Sequence, residues 1–381
     1  MHILIFTPPW ATQGGSLLFH QNAFEKHLMR QAESLADIGH TVDVVLPDVF
    51  TSTQRKKHSR IRIIEFDAVQ TTQEFVGFVD ASVFLYREER DPGTYGFYYT
   101  DLAASLLQSR LAKRYDAILL WENPVPFLKK MYPEAKIIHQ MPGAFSRPPY
   151  PHTVVCDSGG LFKSDTLYSN FLSNFHTYET EVDSELKTFI DAAKSCLKNL
   201  PVWSENESSH GRKNDRLYLV PLQVSEHYAF QVDTGYSNQS DLLTDIVDQI
   251  PSDVDVVVTQ YISRLYADRG LTSELQEFLN RGRRSVLYDP LFERVPTVSQ
   301  HLLPLIDGVA AASSSVAVQA LLWGVDIKIA QPTHLELLND PRFESEAVRT
   351  AFLHSVLERH QPLAHKATDD PKFLTQLIEA H

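Results

Sequence analysis

The sequence predicts an α/β protein made of two Rossmann-like domains, and three observations support this prediction. The chain has 381 residues. A chain of this length is usually too long to fold around a single hydrophobic core. Short apolar runs typical of buried strands alternate with helical patterns in both halves of the chain. Residues 201–215 are polar and lack periodicity, which indicates a linker between the halves.

In the first half, apolar runs predict strands at residues 2–7, 41–47, 61–66, 117–121, 136–139 and 153–156. Helical spacing predicts helices at 21–38, at 101–114 and at 178–199, the last long and polar. Because the strand runs are apolar on both faces, we expect a parallel sheet covered by helices on each side.

In the second half, strands are predicted at 217–221, 253–260, 285–289, 308–312 and 325–330, with helices at 240–250 and 272–281. Terminal helices follow. We therefore predict an N-terminal domain over 1–200 and a C-terminal domain over 201–340, with a cleft between them. The helices of 341–381 are expected to pack back towards the N-terminal domain.

Composition excludes several classes of protein. The formal net charge of -13, from 35 basic and 48 acidic residues, argues against nucleic-acid binding. Cys156 and Cys196 offer neither a disulfide framework nor a zinc spacing, so we expect a reducing compartment. No apolar run approaches the roughly 20 residues that span a bilayer. We expect a cytoplasmic protein, with possible peripheral membrane contact through the basic-aromatic patch Lys129–Tyr132.

The segment 306–330, IDGVAAASSSVAVQALLWGVDIKIA, contains the most informative pattern. An apolar strand leads into Ser313, Ser314 and Ser315, and an apolar helix follows. Hydroxyl groups beside the free N–H groups of a helix start suit a phosphate. Serine is also a common helix cap, so plain capping is the alternative. We predict that these serines bind the phosphate of a nucleotide.

Two carboxylates are candidates for catalysis. Asp157 follows the strand at 153–156 and precedes Gly159 and Gly160, which we expect to leave room for a substrate. Ligand sites of open α/β sheets collect at the carboxyl ends of strands. Glu122 also follows a strand and is the second candidate. The alternative for Asp157 is that it only caps the next helix.

Further polar residues are candidates for binding. Arg147 can pair with a carboxylate or phosphate, or form an ordinary surface ion pair. Gln223 follows a strand and either contacts the nucleotide or sugar or is a simple turn residue. Gly15 lies in a glycine loop that does not fit the dinucleotide fingerprint, which disfavours NAD. His20, just beyond that loop, is a candidate for contact with an acceptor.

Three segments resemble a known family. Residues 306–330 resemble the Ser-Ser, helix and glycine signature of the bacterial capsule-polysaccharide synthesis proteins, which are retaining β-Kdo glycosyltransferases. LVPLQVSEH at 219–227 resembles the family's Val-Pro-x-Gln-Val strand end. Residues 142–162 resemble its Gly-x-x-Arg segment, strand and Asp-x-x-Gly turn. The segments occur in the family's order.

The resemblance implies a GT-B fold and a retaining transfer of Kdo from CMP-Kdo to a growing surface polysaccharide or glycolipid. We expect no cofactor and no metal ion, because the sequence has no His-x-x-x-His pair on an apolar helix and no cysteine partners for a histidine. Asp157 matches the aspartate thought to attack the anomeric carbon and form a covalent intermediate.

The sequence departs from the family in the donor-binding motifs. Gln319 replaces the helix glutamate expected to hold a ribose hydroxyl, and residues 259–262, which include Gln260, replace Lys-x-His-Pro. We expect Gln319 and Gln260 to contact the nucleotide nevertheless. A different donor, such as a UDP-linked sugar, remains an alternative. So do a GT-B-fold nucleotide-sugar epimerase and a non-catalytic domain that binds glycan or acts as a scaffold.

Overall fold

The computed structural model describes residues 1–381 except 13–16, 19, 51–57, 76–79, 178–183, 199–210, 226, 262–268, 296, 331 and 381. The chain forms two compact units. The first contains Met1–Met141, Val154–Thr166 and Pro362–His381, and the second contains Pro142–Thr153 and Leu167–Gln361. Most of the linker predicted at 201–215 lies outside the described residues.

The first unit contains a six-stranded sheet in the order β3-β2-β1-β4-β5-β6. Its parallel pairs include β1 with β2 and β1 with β4. This is the strand order of a Rossmann fold. The strands are β1 His2–Phe6, β2 Thr41–Pro47, β3 Ile61–Phe66, β4 Ala117–Trp121, β5 Lys136–Pro142 and β6 Val154–Asp157.

Helices cover both faces of this sheet. Ile3 and Ile5 of β1 face one apolar cluster, while Leu4 and Phe6 face another. Successive side chains of a strand point to opposite faces, so a strand buried on both faces is apolar throughout. The principal helices are Met29–Asp37, Ala68–Phe75, Ala81–Arg90, Pro92–Tyr95, Tyr98–Leu107, Pro126–Met131, Ala364–Asp369 and Pro371–Ala380, and Gln21–Ala23 leads through a π-helical turn, Phe24–Leu28, into the first of them.

The second unit contains a five-stranded sheet in the order β11-β10-β7-β8-β9. Its strands are β7 Arg216–Leu222, β8 Val254–Gln260, β9 Val286–Leu287, β10 Gly308–Ala311 and β11 Asp326–Ile329, paired in parallel. The helices are Thr166–Asn170, Ser184–Lys198, Tyr228–Asp233, Gln239–Gln249, Ser273–Leu279, Val298–Leu302, Val316–Ala320 and Glu346–His354. Two Rossmann-like units confirm the predicted α/β architecture.

The division of the chain differs in detail from the predicted domains. Helix Ser184–Lys198, predicted at the end of the first domain, places Leu186 and Leu197 in the main apolar cluster of the second unit. Within the first unit, Ala367 and Leu374 of the last two helices join the cluster beneath β1. Burial of an apolar helix stripe, rather than position along the chain, decides where each helix belongs.

Every strand predicted from the sequence is present, with ends a few residues from the prediction. The prediction did not include helices Ala68–Phe75, Ala81–Arg90 and Pro126–Met131. Within the described part of the chain, no helix is both long and apolar enough to cross a membrane.

Each sheet contains a buried acid in the interior of a strand. Asp43 on β2 is 1% exposed and accepts hydrogen bonds from Arg62 and from the Tyr115 hydroxyl, the latter at 2.7 Å. Burial raises the pKa of Asp43, but these hydrogen bonds and the charge of Arg62 outweigh it, so the pKa lies below its ordinary value. Asp255 on β8 likewise accepts the backbone N–H groups of residues 213, 214 and 285.

We expect Asp43→Asn to lower the free energy of unfolding by about 2–3 kcal/mol at pH 7, the scale of hydrogen bonds to a charged group. A carboxylate with a lowered folded-state pKa stabilises the fold above its unfolded pKa, and the contribution disappears as pH falls through the folded value. Urea unfolding at pH 7 and in acid measures both effects.

Asp369→Asn is the matched control, because Asp369 pairs with Arg30 at 2.5 Å on the surface of the same unit. Exposed pairs contribute under about 1 kcal/mol. Equal losses in the two variants would show that the buried site contributes nothing beyond a surface ion pair.

Candidate functional site

In the first unit, the candidate site lies at the carboxyl ends of β1 and β4. Strands β2 and β3 extend the sheet on one side of this pair, and β5 and β6 extend it on the other. Ligands of doubly wound sheets bind in the crevice at such a switch point. Thr7 follows β1, and its buried hydroxyl has no hydrogen-bond partner among the described residues. A ligand can supply the partner that this hydroxyl lacks.

Glu122 and Asn123 follow β4 at this point. Glu122 has a backbone φ of 41°, a left-handed conformation that is uncommon outside glycine. Its backbone N–H donates to the Gln140 carbonyl at 2.7 Å, which fixes the turn. Non-glycine residues in such conformations cluster at functional sites. The sequence predicted Glu122 as a candidate, but nothing in it indicated the unusual backbone.

His20 lies beside these residues and is 3% exposed. Its Nε2 lies 3.4 Å from the Asn123 amide nitrogen, and the Ser82 hydroxyl donates to the Asn123 amide oxygen at 3.2 Å. This orientation makes the amide a donor to Nε2. Burial lowers the pKa of His20 to about 4, although the charge of Glu122 acts in the opposite direction. The imidazole is therefore neutral near pH 7 and can accept a proton.

Asp157 ends β6 and is 1% exposed. One carboxylate oxygen accepts the N–H groups of Gly159 at 2.7 Å and Gly160 at 3.0 Å. The other accepts the Thr166 N–H at 3.0 Å and also the Thr166 hydroxyl. These four hydrogen bonds all come from one loop, so the carboxylate holds the backbone of that loop in place.

Gly159 and Gly160 belong to the turn that Asp157 stabilises. Gly160 has a φ of 150°, which other residues rarely adopt. A Cβ on Gly159 would lie 2.6 Å from the Thr166 methyl group, and one on Gly160 would lie 2.5 Å from Ser164 Cβ. The space beside both glycines is thus filled by the protein itself, whereas the sequence analysis expected room there for a substrate.

His139 on β5 is a buried imidazole that the sequence analysis did not select. It is 2% exposed, and its Nε2 has no hydrogen-bond partner among the described residues. Burial lowers the pKa of His139 to about 3; the charge of Lys129 adds to this, and that of Asp157 opposes it. Lys129 in turn donates to the Gly159 carbonyl at 3.3 Å. A neutral imidazole therefore lies close to the Asp157 turn.

In the second unit, the switch point lies at the carboxyl ends of β7 and β10. Gln223 follows β7 and Ser313 follows β10. The Ser313 hydroxyl donates to the Gln223 side-chain oxygen at 2.7 Å, and the Gln223 amide lies 3.4 Å from the Ser313 carbonyl. The structure therefore brings together two predicted residues that are far apart in the sequence.

The serine turn leaves hydrogen-bond donors available. In the described part of the chain, the backbone N–H groups of Ser313, Ser314 and Ser315 donate to no acceptor. Ser315 occupies the cap position of helix Val316–Ala320 without a side-chain capping bond. Consecutive backbone N–H groups without acceptors, beside hydroxyl groups, are donors suited to an anion.

Gln239 extends this polar edge and was missed by the sequence analysis. Its side-chain oxygen accepts the Gln223 N–H at 3.1 Å, and its own N–H donates to the Ser225 hydroxyl at 3.0 Å. Gln239 is 0% exposed, and its side-chain nitrogen has no partner among the described residues. No sequence signal distinguishes this glutamine from the other polar residues near the start of its helix.

Four other predicted residues have structural contacts, are exposed or lie outside the described residues. Gln319 is 0% exposed and donates to the Ala144 carbonyl at 2.5 Å, although its side-chain oxygen has no partner among the described residues. Gln260 accepts the Leu271 N–H at 2.9 Å. Arg147 is exposed, and Gly15 lies outside the described residues.

The basic-aromatic patch Lys129–Tyr132 does not form a single surface. Tyr132 is buried and donates its hydroxyl to the Ala112 carbonyl at 2.9 Å. Lys129 pairs with Glu89 at 2.6 Å, and Lys130 pairs with Asp101 at 2.5 Å. Membrane contact stays a prediction.

No model of a protein family and no curated protein matches this chain. Among solved structures, it is similar to the KpsC β-Kdo 2,4 transferase of Thermosulfurimonas dismutans, with 12% identity, 99% of this chain and 98% of that chain covered, and a TM-score of 0.44. The KpsC β-Kdo 2,7 transferase of the same organism shows 15% identity, 74% and 89% coverage and a TM-score of 0.39. The glycosyltransferase SsfS6 of Streptomyces sp. SF2575, solved with thymidine diphosphate, shows 12% identity, 99% coverage of both chains and a TM-score of 0.30.

Proposed function

We propose that this protein is a glycosyltransferase that uses a nucleotide-activated sugar. The observation that carries the proposal is the edge formed by Gln223 and Ser313–Ser315, where unpaired N–H groups and hydroxyls collect at the switch point of a Rossmann-like sheet. Such donors bind phosphate without a basic side chain. The nucleotide phosphate of the donor is the ligand that this chemistry suits.

The first unit offers groups for the transfer itself. A neutral His20 can accept a proton from an acceptor hydroxyl at Nε2 when that atom gives up the hydrogen bond from the Asn123 amide, and the nearby Glu122 can stabilise the imidazolium that results. Asp157 is the alternative reacting carboxylate, as the nucleophile of a retaining mechanism. In that role it has to give up part of its hydrogen bonding to Gly159, Gly160 and Thr166.

For the donor and acceptor, we propose Kdo from CMP-Kdo and a growing surface polysaccharide or glycolipid, on the sequence motifs. A different nucleotide sugar, such as a UDP-linked one, is the alternative enzyme, and a non-catalytic glycan-binding domain is the alternative outside enzymes. Thermal shift with CMP, UDP, GDP and ADP separates these, because a ligand that binds only the folded state raises stability. A protein that responds to none of the four nucleotides would favour the non-catalytic alternative.

We expect Ser314→Ala and Ser315→Ala each to weaken binding of the preferred nucleotide by about 1–2 kcal/mol, the scale of a hydrogen bond to a charged group. Titration calorimetry measures the change. Ser345→Ala is the matched control, because Ser345 also precedes a helix of the second unit without a side-chain capping bond. Unchanged nucleotide affinity in both test variants would show that the serine hydroxyls do not bind the nucleotide and only form part of the turn.

We expect Glu122→Gln to lower kcat by about 10²-fold or more, the scale of acid–base assistance, with nucleotide affinity unchanged. Asp157→Asn should lower the free energy of unfolding by about 1–3 kcal/mol, because an amide nitrogen then faces N–H donors. Steady-state kinetics and urea unfolding measure the two effects.

Thr166→Val is the control for Asp157, because it removes a hydroxyl donor from the same turn and leaves the carboxylate in place. A different result would identify Asp157 as the reacting carboxylate. In that case Glu122→Gln would transfer sugar at a near wild-type rate, Asp157→Asn would transfer none, and Thr166→Val would retain most of the activity.

We expect the acid limb of kcat/KM to lie near pH 4, because burial lowers the pKa of His20 to about 4. A neutral base loses function as pH falls through its folded pKa. Because the pKa of folded His20 lies below that of an unfolded histidine, the free energy of unfolding also decreases as pH falls from about 6.5, the unfolded value, towards 4. An acid limb near pH 6.5 that persists in His20→Gln would exclude His20 as the base.

A further inference from the structure

Three exposed aromatic side chains lie within four residues of the first unit. Tyr95, Phe97 and Tyr98 are 51%, 52% and 70% exposed. They occupy the end of helix Pro92–Tyr95, the following turn and the start of helix Tyr98–Leu107. We call these three residues the aromatic turn. Large exposed aromatic groups that cluster in this way mark binding surfaces.

The aromatic turn is held in place by buried and capping acids. Glu88 is 2% exposed and accepts the N–H groups of Tyr99 at 2.8 Å and Thr100 at 2.7 Å. Asp91 accepts the Thr94 N–H at 3.1 Å. Gly96 has a φ of 71°, a conformation that favours glycine. The exposed rings are therefore presented by a fixed backbone, which reduces the entropy lost on binding.

An ion pair lies beside the exposed rings. Tyr98 and Asp101 are three residues apart on one helix and so share a face. Asp101 pairs with Lys130, whose ammonium nitrogen lies 5.8 Å from the centroid of the Phe97 ring. Phe97, Tyr98 and the ion pair thus form one surface, with flat apolar rings beside hydrogen-bonding groups.

The charges of this surface indicate its partner. Lys129 and Lys130 are both paired with carboxylates, of Glu89 and Asp101, whereas the Arg87 guanidinium carbon lies 5.9 Å from the centroid of the Tyr95 ring. Binding to an anionic lipid surface needs a cluster of several unpaired cations, and inserting the charged pair beside Phe97 and Tyr98 would carry a desolvation cost. A saccharide presents apolar C–H faces to aromatic rings and hydroxyl groups to carboxylate and ammonium groups, so the observed combination suits it.

We infer that the aromatic turn is a stacking surface for the sugar rings of a glycan, and that it extends acceptor binding beyond the reacting hydroxyl. The inference rests on the proposed glycosyltransferase function. Tyr and Phe suit this role because each ring supplies a large rigid contact area at low conformational cost.

Affinity electrophoresis of the full chain, in native gels containing either dextran or polygalacturonate, tests the inference. We expect retardation of the wild-type protein in at least one gel. In the double variant Phe97→Ala/Tyr98→Ala the apparent Kd should be about tenfold weaker, because two aromatic contacts with the glycan are lost. Phe278→Ala is the control, because Phe278 is 58% exposed in the second unit. Circular dichroism of each variant confirms that it is folded.

Absence of retardation in both gels, or equal retardation of the wild type and a folded double variant, would overturn the inference. Sedimentation with phosphatidylglycerol vesicles that is lost in the double variant would overturn it in favour of a membrane surface. No nucleotide is present in these experiments, so their outcome is independent of the nucleotide-binding tests of the proposed function.

Discussion

Burial of both faces of two parallel sheets is the constraint on which the rest of the structure depends. Helices cover each sheet, so most strand residues are apolar, and burying a polar side chain in mid-strand is costly unless it is hydrogen-bonded. Asp43 and Asp255 meet this condition with several donors each. Functional polar groups are consequently concentrated at the strand ends, and His139 in the middle of β5 is an exception. Both candidate sites lie there, at the switch point of each sheet.

The two switch points differ in chemistry. The first unit places a neutral imidazole, His20, beside the carboxylate of Glu122 and the amide of Asn123, a set suited to moving a proton. The second unit places N–H and hydroxyl groups and the Gln223 amide at the serine turn, a set suited to holding an anion. A reaction between an activated sugar phosphate and a hydroxyl acceptor needs both kinds of group. The proposed function assigns one kind of group to each unit.

Two residues selected by family resemblance have structural roles that the motifs do not reveal. Asp157 organises the loop that contains Gly159, Gly160 and Thr166, and Gln319 holds the Ala144 carbonyl. A carboxylate that accepts four hydrogen bonds is well positioned but is not free to react without rearrangement. The left-handed Glu122, by contrast, has no structural explanation beyond the turn after β4.

The sequence by itself determined the strands and the two-unit α/β architecture, because a strand buried on both faces is an apolar run that can be read locally. It also identified Glu122, Asp157, Gln223 and Ser313 as strand-end residues. Only the tertiary structure decided which of these meet: strand order brought Gln223 to Ser313, and His20 to Asn123. It alone revealed Gln239 and His139, each of which is buried with one side-chain nitrogen that has no partner among the described residues. Whether a buried polar side chain finds a hydrogen-bond partner depends on neighbours that are distant in the sequence, and no local pattern encodes those neighbours.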